Sequence, residues 1–329
     1  MVNLSDLIKE ENPVPPQEGP IMTKGPISHD AADDPETLHV YEEACHLVKE
    51  VLETVKSRGH FDPRLAMKLI ENIVDAPPLL EGLYQKALQV RDLTDVFVHH
   101  SVNTAIFSLK MAPALNFKKE QLVHLGTAAL LHEIGTTKVP EVILYKNSAL
   151  TEEEFQILKK HPLYGYVIIM EQGKEFEWLA EIIYQEHERE KGQGYPRGLN
   201  SDEILEPAKV IGIVDVYDAL INPRPQRKRF LPYTAVKMII ETQKRYFSPR
   251  IMKALLSQLS VFPLNCWVKL NNGMIGRVIE TNPRQPLRPV VEIRYDNKGY
   301  RLKVGRVFNL SNSPLLYITN SLYEEELPQ

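Results

Sequence analysis

Cysteine is scarce in this sequence. Cys45 and Cys266 are the only two in 329 residues, and they lie far apart and outside any Cys-x-x-Cys spacing. Two isolated thiols do not form the disulfide framework that supports small secreted domains. They are compatible with a reducing compartment, so we expect a cytoplasmic protein.

Long apolar runs and an excess of one charge are also missing, and we expect no signal peptide. No apolar stretch approaches the roughly 18 residues that a membrane helix needs. The first six residues show no cationic start followed by an apolar stretch, which a signal peptide would show. The formal net charge is -4 and the isoelectric point about 6.2, so no overall basic field attracts DNA or a membrane surface. An anionic ligand must therefore be held by a local basic cluster.

Proline content and periodicity divide the chain into four parts. Residues 1–36 are rich in acidic residues and contain six prolines, which we expect to break any helix, so a flexible tail is predicted. Residues 37–93 and 94–262 show apolar positions at helical spacing. From 263 to 329 the pattern changes to short strands separated by turns. This predicts a mostly α protein, a helical bundle followed by a small C-terminal β domain.

Local signals predict individual boundaries. Thr151 and Glu154 form a capping-box pattern, and Ser248-Pro249 is typical of a helix start. The apolar spacing predicts early helices at 38–58, 63–75 and 79–92. The alternating pattern predicts strands at 266–268, 274–279, 290–295 and 300–304.

Histidines and carboxylates recur where buried apolar runs end. The polar groups that follow such runs are His132-Glu133, Glu186-His187-Glu188 and Asp215. Carboxylates are rarely placed there unless something compensates their charge, and a metal ion does so directly. Imidazoles and carboxylates without thiolates suit iron, manganese or zinc, and one carboxylate can bridge two metals. A set of hydrogen-bonded core histidines is the alternative that spacing alone leaves open.

The order of these motifs resembles the HD-GYP family. The blocks that carry the resemblance are His100 to Asn103, Leu130 to Gly135, Val139 to Leu144, Leu150 to Phe155, His161 to Gly165, Glu186 to Arg189, Gly192 to Leu199, Ala208 to Ala219 and Arg224 to Arg227. They cover about residues 94–260, roughly half the chain, and Gly192-Gln193-Gly194-Tyr195-Pro196 is the most specific of them. The resemblance implies an HD-type helical bundle that binds two divalent metals and acts on cyclic di-GMP.

The resemblance also implies a set of metal ligands. The corresponding positions here are His100, His132, Glu133, His161, Glu186, His187 and Asp215. Glu133 replaces an aspartate and Glu186 a histidine; both can still bind metal through oxygen, and Glu133 adds a methylene to what would be the bridging ligand. Val96 stands where some members have a glutamate for a third metal. We therefore expect two metals at most, iron first, with manganese or zinc as alternatives.

The positions that face the substrate in the family are altered as well. Thr136 replaces the lysine that contacts the scissile phosphate, although Lys138 lies two residues on. Losing such a cation typically costs on the order of a hundredfold in rate. Lys191 replaces the aspartate that usually precedes the Gly-x-Gly-Tyr-Pro loop. The ligand-binding residues that the resemblance implies are Gly194, Tyr195, Pro196, Arg224 and Arg227. Without the resemblance, the two arginines would be interpreted as part of a solvated basic loop. Tyr195 would then be explained as well by structural packing of the loop as by ligand binding.

Three functions stay open on the sequence. The first is a phosphodiesterase in which two metals activate a bridging water, giving the linear dinucleotide or GMP from cyclic di-GMP. The second is a catalytically impaired sensor that binds cyclic di-GMP or a related nucleotide, which Thr136 and Lys191 favour. The third is oxidation at a di-iron centre, as in other HD-fold proteins. We expect no sensory domain before the helical part, no DNA or membrane partner, and a homodimer or protein partner engaged through the tail or the β domain.

Overall fold

The computed structural model describes residues 31–89, 95–222, 229–282 and 284–328. Most of the predicted tail, together with Arg224 and Arg227, lies outside the described residues. The described chain divides into two compact units. Residues within 31–229 and 243–255 form the larger unit, and residues within 230–242 and 256–328 form the smaller one. Within the described ranges, no helix combines the length and apolar character needed to cross a membrane.

Most of the described chain is helical. The α-helices, in chain order, are α1 (Pro35–Lys56), α2 (Pro63–Asp75), α3 (Pro77–Ala87), α4 (Val96–Met111), α5 (Lys119–Leu131), α6 (Glu141–Leu144), α7 (Glu152–Leu158), α8 (His161–Gln172), α9 (Glu177–Gln185), α10 (Glu206–Ile221), α11 (Pro232–Gln243) and α12 (Pro249–Gln258). A 3-10 segment, His132–Lys138, continues directly from α5. The predicted mostly α fold class is confirmed.

Helix starts follow the capping signals of the sequence. The Thr151–Glu154 capping box is present at α7, and α12 begins at Pro249 as predicted. The prediction that Pro35 would break a helix is wrong, because Pro35 is the first residue of α1. The Asp34 carboxylate accepts the backbone N–H groups of Glu36 and Thr37. Proline is tolerated at this position since its missing N–H would have no partner within the helix.

Three helices form the centre of the larger unit. Helix α4 packs against both α5 and α10, and Phe107, Leu125 and Ile213 on these helices are fully buried. Because almost every face of α4 and α10 is covered, their polar side chains are buried too. The histidine and aspartate that they carry are therefore held inside the bundle.

The smaller unit contains an antiparallel sheet. Its strands are β1 (Trp267–Leu270), β2 (Ile275–Glu280), β3 (Val290–Tyr295), β4 (Arg301–Asn309) and β5 (Ile318–Leu322), in the order β4-β3-β2-β1-β5. The first four match the predicted strands, with β4 longer. Strand β5 was not predicted because its polar centre gives no apolar alternation. Its pairing with β1, in which Leu322 faces Trp267, defines it instead.

Candidate metal centre

The predicted metal ligands converge inside the larger unit. They come from five places in the chain: α4 (His100), the 3-10 segment (His132 and Glu133), the start of α8 (His161), the residues just after α9 (Glu186 and His187), and α10 (Asp215). Distances of 3.1 to 3.9 Å connect neighbouring side chains of this set. His100 and Asp215, for example, lie 115 positions apart in the sequence but 3.2 Å apart in the structure. Sequence spacing alone could not show this contact.

A first group of ligand atoms forms around His100 and His132. Nε2 of His100 lies 3.2 Å from Oδ1 of Asp215 and 3.8 Å from Oε1 of Glu133. Nε2 of His132 lies 3.9 Å from the same Glu133 oxygen. His100, His132 and Asp215 each offer one ligand atom, and these atoms all lie within 4.8 Å of one another. Such a group can hold one metal ion.

A second group forms around His161 and His187. Nε2 of His161 lies 3.3 Å from Oε1 of Glu186 and 3.1 Å from Nε2 of His187. Nδ1 of His161 donates to the carbonyl of Leu158 at 2.8 Å, so Nε2 of the neutral ring carries a lone pair. Two imidazole nitrogens at this separation need a proton or a metal ion to interact favourably.

Two carboxylates face both groups. Oε2 of Glu186 lies 3.8 Å from Nε2 of His132, while its other oxygen faces His161. Asp215 similarly faces His100 through Oδ1 and lies 3.8 Å from Nδ1 of His187 through Oδ2. The bridging role that the resemblance implies for Glu133 stays a prediction. Glu186, in the family's histidine position, has the reach of a bridging ligand.

Hydrogen bonds behind the centre orient three imidazoles. Nδ1 of His132 donates to the carbonyl of Ala129 at 2.8 Å, as His161 does to Leu158. Nδ1 of His100 lies 2.6 Å from Oδ2 of Asp218, a buried carboxylate. Each bond occupies Nδ1 and leaves Nε2 free to bind a metal. Sequence reasoning missed Asp218; the available signal was its position three residues after Asp215, on the same helical face.

Several buried atoms of the centre have no hydrogen-bond partner among the described residues. They include Nε2 of His132 and Oε2 of Glu186, whereas Nε2 of His100 has the Asp215 carboxylate 3.2 Å away. An unsatisfied buried polar atom costs about 1 to 3 kcal/mol, and two in one cluster need a common explanation. A donor set of imidazole nitrogens and carboxylate oxygens fits divalent iron, manganese or zinc.

The electrostatics of the protein alone favour added positive charge. Burial lowers the pKa of His100, but Asp215 and Asp218 outweigh it and raise that pKa to about 10. Burial also lowers the pKa of His161, but the carboxylates of Glu186 and Glu133 raise it more, to about 9. Burial raises the pKa of Asp215, but His100 and His187 hold it well below its usual range. The carboxylates therefore favour positive charge on the neighbouring imidazoles of His100 and His161.

Thr136, which stands where the family has a lysine, makes a structural hydrogen bond in this chain. The Thr136 hydroxyl is buried and donates to the carbonyl of Glu133 at 2.6 Å. Lys138, two residues on, is exposed. A Cβ on the preceding residue, Gly135, would lie 1.9 Å from the His161 carbonyl oxygen. The 3-10 segment and α8 thus touch through this glycine, and Thr136 provides no cation.

The Gly-x-Gly-Tyr-Pro loop is anchored by Glu188. Its carboxylate accepts the backbone N–H groups of Arg197, Gly198 and Leu199 at 2.7 to 3.1 Å. A Cβ on Gly194 would lie 2.3 Å from the backbone nitrogen of Arg189, so only glycine allows this approach. The loop is consequently fixed against the residues that follow α9.

Tyr195 forms a wall of the centre. Its backbone N–H donates to the carbonyl of His187, and its ring stacks on the His187 imidazole with centroids 4.7 Å apart. Burial raises the pKa of the Tyr195 phenol, and Glu186 and Asp215 raise it further, so the group stays protonated. Pro196, next in the loop, is exposed. The predicted phosphate ligands Arg224 and Arg227 lie outside the described residues.

Two family models match the chain. One, described as HD domain, covers residues 69–251, and one described as KOW domain associated with HD domain covers residues 267–329. The cyclic di-GMP phosphodiesterase PA4108 of Pseudomonas aeruginosa is 30% identical over 200 residues, 61% of this chain and 48% of that protein. The cyclic di-GMP phosphodiesterase PdeB of Borreliella burgdorferi is 30% identical over 210 residues, 64% and 53% respectively.

A solved structure shares the fold. Bd1817, a HDG"Y"P protein from Bdellovibrio bacteriovorus, superposes with a TM-score of 0.55 at 19% sequence identity, covering 68% of this chain and 74% of its own. This chain spans about half the length of the curated relatives it matches.

Proposed function

Because the chain belongs to the HD domain family, in its HD-GYP group, we propose that it is a metal-dependent phosphodiesterase that hydrolyses cyclic di-GMP. The linear dinucleotide or GMP would be the product. The relatives from P. aeruginosa and B. burgdorferi carry this activity in their names. Their similarity covers well over half of this chain.

One observation carries the proposal. Nε2 of His161 and Nε2 of His187 lie 3.1 Å apart beside Glu186, whose second oxygen faces His132. In a purely structural core the two nitrogens would need a proton between them, and the buried Oε2 of Glu186 would stay without a partner. Two cation positions that share Glu186 and Asp215 account for both features.

The assignment of residues to the metals follows from the contacts. His100, His132, Glu133 and Asp215 would hold one ion, and His161, Glu186 and His187 the other, with Asp215 and Glu186 each facing both positions. Iron is our first choice, with manganese and zinc as alternatives, since mixed imidazole and carboxylate sets suit all three. When bound, such ions lower the pKa of water for attack and neutralise charge on the phosphate.

The chain's own residues orient the substrate. The phenol of Tyr195, which stays protonated, can donate a hydrogen bond to a phosphate or base at the wall of the centre. Gly194 lets the loop approach closely, and Pro196 lies at its exposed side. Arg224 and Arg227 would grip phosphate by paired N–H donors.

A sensor that binds a cyclic dinucleotide without cleaving it is the second candidate. The observation that favours it is Thr136, whose hydroxyl proton is committed to the carbonyl of Glu133. The site then lacks the family's cation at that position, although every predicted metal ligand still has a nitrogen or oxygen to offer.

Elemental analysis of anaerobically purified protein, paired with a cyclic di-GMP assay on the same sample, tests the proposal. We expect two metals per chain and sustained formation of linear product. His132→Ala should lose both, whereas His124→Ala, a histidine stacked on Trp178 away from the predicted ligands, should lose neither. Two metals with binding but no turnover would establish the sensor, and metal-free protein would contradict both candidates.

We further propose a cytoplasmic protein that acts as a homodimer or with a protein partner. Cys45 and Cys266 form no disulfide, which fits a reducing compartment. The proposed domain boundaries remain 1–36, 37–93, 94–262 and 263–329, with docking through the tail or the β domain. Light scattering of the full chain measures its oligomeric state directly.

A further inference from the structure

A lysine lies beside the aromatic wall of the centre. Lys159 follows the last residue of α7, and its Nζ lies 4.5 Å from the ring centroid of Phe155 and 5.6 Å from that of Tyr195. Tyr195 in turn stacks on His187. Two consecutive ring contacts therefore connect the ammonium group to a predicted metal ligand.

Among the residues that the structure describes, this ammonium has no anionic partner of its own. Within residues 31–89, 95–222, 229–282 and 284–328, Lys159 makes neither a side-chain hydrogen bond nor an ion pair with a carboxylate. It is only partly exposed, and its three N–H donors remain available. By contrast, the guanidinium of Arg189 donates to the carbonyls of Glu186 and Glu188, so its donors are directed at the backbone.

The charge balance of the centre favours a cation beside the substrate phosphates. Four carboxylates, those of Glu133, Glu186, Asp215 and Asp218, would offset the four positive charges of two divalent ions. Thr136 replaces the lysine that the family places at the scissile phosphate, so this position supplies no cation when a cyclic dinucleotide binds, whatever Arg224 and Arg227 contribute. A cation at the Tyr195 wall would supply that charge from another element, α7.

We infer that Lys159 binds a phosphate of the cyclic dinucleotide, with Phe155 and Tyr195 as the rings that hold its ammonium at the edge of the site. The inference rests on the proposed function and adds a phosphate-binding residue to it. The alternative is that the cation–π contacts of Lys159 only stabilise the packing of α7 against the loop. Arginine and lysine both stack on aromatic rings, so Lys159→Arg would keep that packing. In that case, replacing Lys159 would not change ligand affinity as long as the fold is intact.

The test compares Lys159→Met, which keeps the apolar stem, with Lys159→Arg, which keeps the charge. Lys160→Met, at the neighbouring exposed lysine, is the matched control. The measurements are KM and kcat for cyclic di-GMP, calorimetric Kd for a hydrolysis-resistant phosphorothioate analogue, metal content and thermal unfolding. We expect Lys159→Met to raise KM and Kd about tenfold or more, as for loss of a charge-assisted hydrogen bond. Lys159→Met should keep the metal content and unfolding temperature of the wild type. Lys160→Met should match the wild type in every measurement, and Lys159→Arg should bind with an affinity close to that of the wild type.

The outcomes separate this inference from the proposed function. Turnover by the wild type with an unaltered KM and Kd in Lys159→Met would overturn the role of Lys159 alone. Equal defects in Lys159→Met and Lys159→Arg, with a lowered unfolding temperature, would identify a structural joint and also overturn it. Binding of the analogue without turnover by the wild type would remove the hydrolase proposal, while the Kd comparison still decides on Lys159. A wild type that neither binds nor hydrolyses would overturn both.

Discussion

At the scale of single residues, the centre depends on groups that do not themselves bind metal. Asp218 and the carbonyls of Ala129 and Leu158 occupy Nδ1 of three histidines. Each imidazole is thereby held with Nε2 toward its neighbours. Partners of this kind fix ring orientation and raise the basicity of the ligand nitrogen.

Asp218→Asn tests this support. The amide keeps the shape but removes the charge that stabilises the Nδ1 proton of His100, so we expect metal affinity to fall about ten- to hundredfold. Competition titration with a metal-binding dye measures it. Asp75→Asn, an exposed carboxylate paired with Lys119, is the control. Equal affinity in both variants would show that Asp218 does not support the ligand.

Glu186→Gln tests the carboxylate that faces both groups. The amide retains an oxygen but loses the negative charge shared between His132 and His161, so we expect metal content to fall from two to about one per chain. Glu186→His, which restores the family residue, should recover more metal than the glutamine variant. Glu177→Gln, exposed at the start of α9, should behave as wild type. Two metals in Glu186→Gln would assign the bridging role to Glu133 or Asp215 instead.

The sequence named the side chains that converge in the structure, but not the groups that surround them; that these side chains bind metal stays a prediction. The motif blocks named seven candidate ligands, and the structure places them within contact distance of one another. Asp218 was not named, because its position three residues after Asp215 indicates only that both lie on the same helical face, and does not tell a hydrogen-bonding carboxylate from a solvated one. The reach of Glu186 toward His132 was also unpredictable, since it depends on how the end of α9 packs beside the 3-10 segment.

At the scale of elements, the two ligand groups meet where the 3-10 segment touches α8. Gly135 on that segment lies against the carbonyl of His161 and the backbone nitrogen of Gly165. The sequence presented this glycine as part of a motif block, without its packing reason. Strand β5 was missed for a related reason. Its pairing with β1 defines it, and its own sequence shows no apolar alternation.

Gly135→Ala should separate these elements. Its Cβ would lie 1.9 Å from the His161 carbonyl oxygen, a contact with backbone that must move. We expect a loss of stability of about 1 to 3 kcal/mol or more, with reduced metal content, because His132 and His161 would move apart. Chemical denaturation and elemental analysis measure the two effects. Gly59→Ala, whose Cβ first meets the methyl group of Thr54, should be milder and keep its metal; the same metal content in both variants would contradict this view.

At the scale of the whole molecule, the buried centre couples folding, protons and metal. In the metal-free protein the carboxylates favour protonated His100 and His161, with pKa values of about 10 and about 9. Unfolded histidine has a pKa of about 6.5. A raised pKa in the folded state contributes stability below pH 6.5 that is lost as pH rises through 9 to 10.

The metal-free protein should accordingly become less stable between about pH 6.5 and pH 10. In the metal-loaded protein both imidazoles must be unprotonated to bind, so loading at pH 7.5 should release about two protons per chain. Calorimetric titrations in buffers of different ionisation enthalpy count those protons, and thermal scans across the pH window follow stability. Removing metal with a chelator should lower the unfolding temperature more at pH 9 than at pH 7, because protons no longer replace the lost ions. A metal-free protein whose unfolding temperature does not change over this window, together with loading that releases no protons, would show that His100 and His161 are neutral before metal arrives.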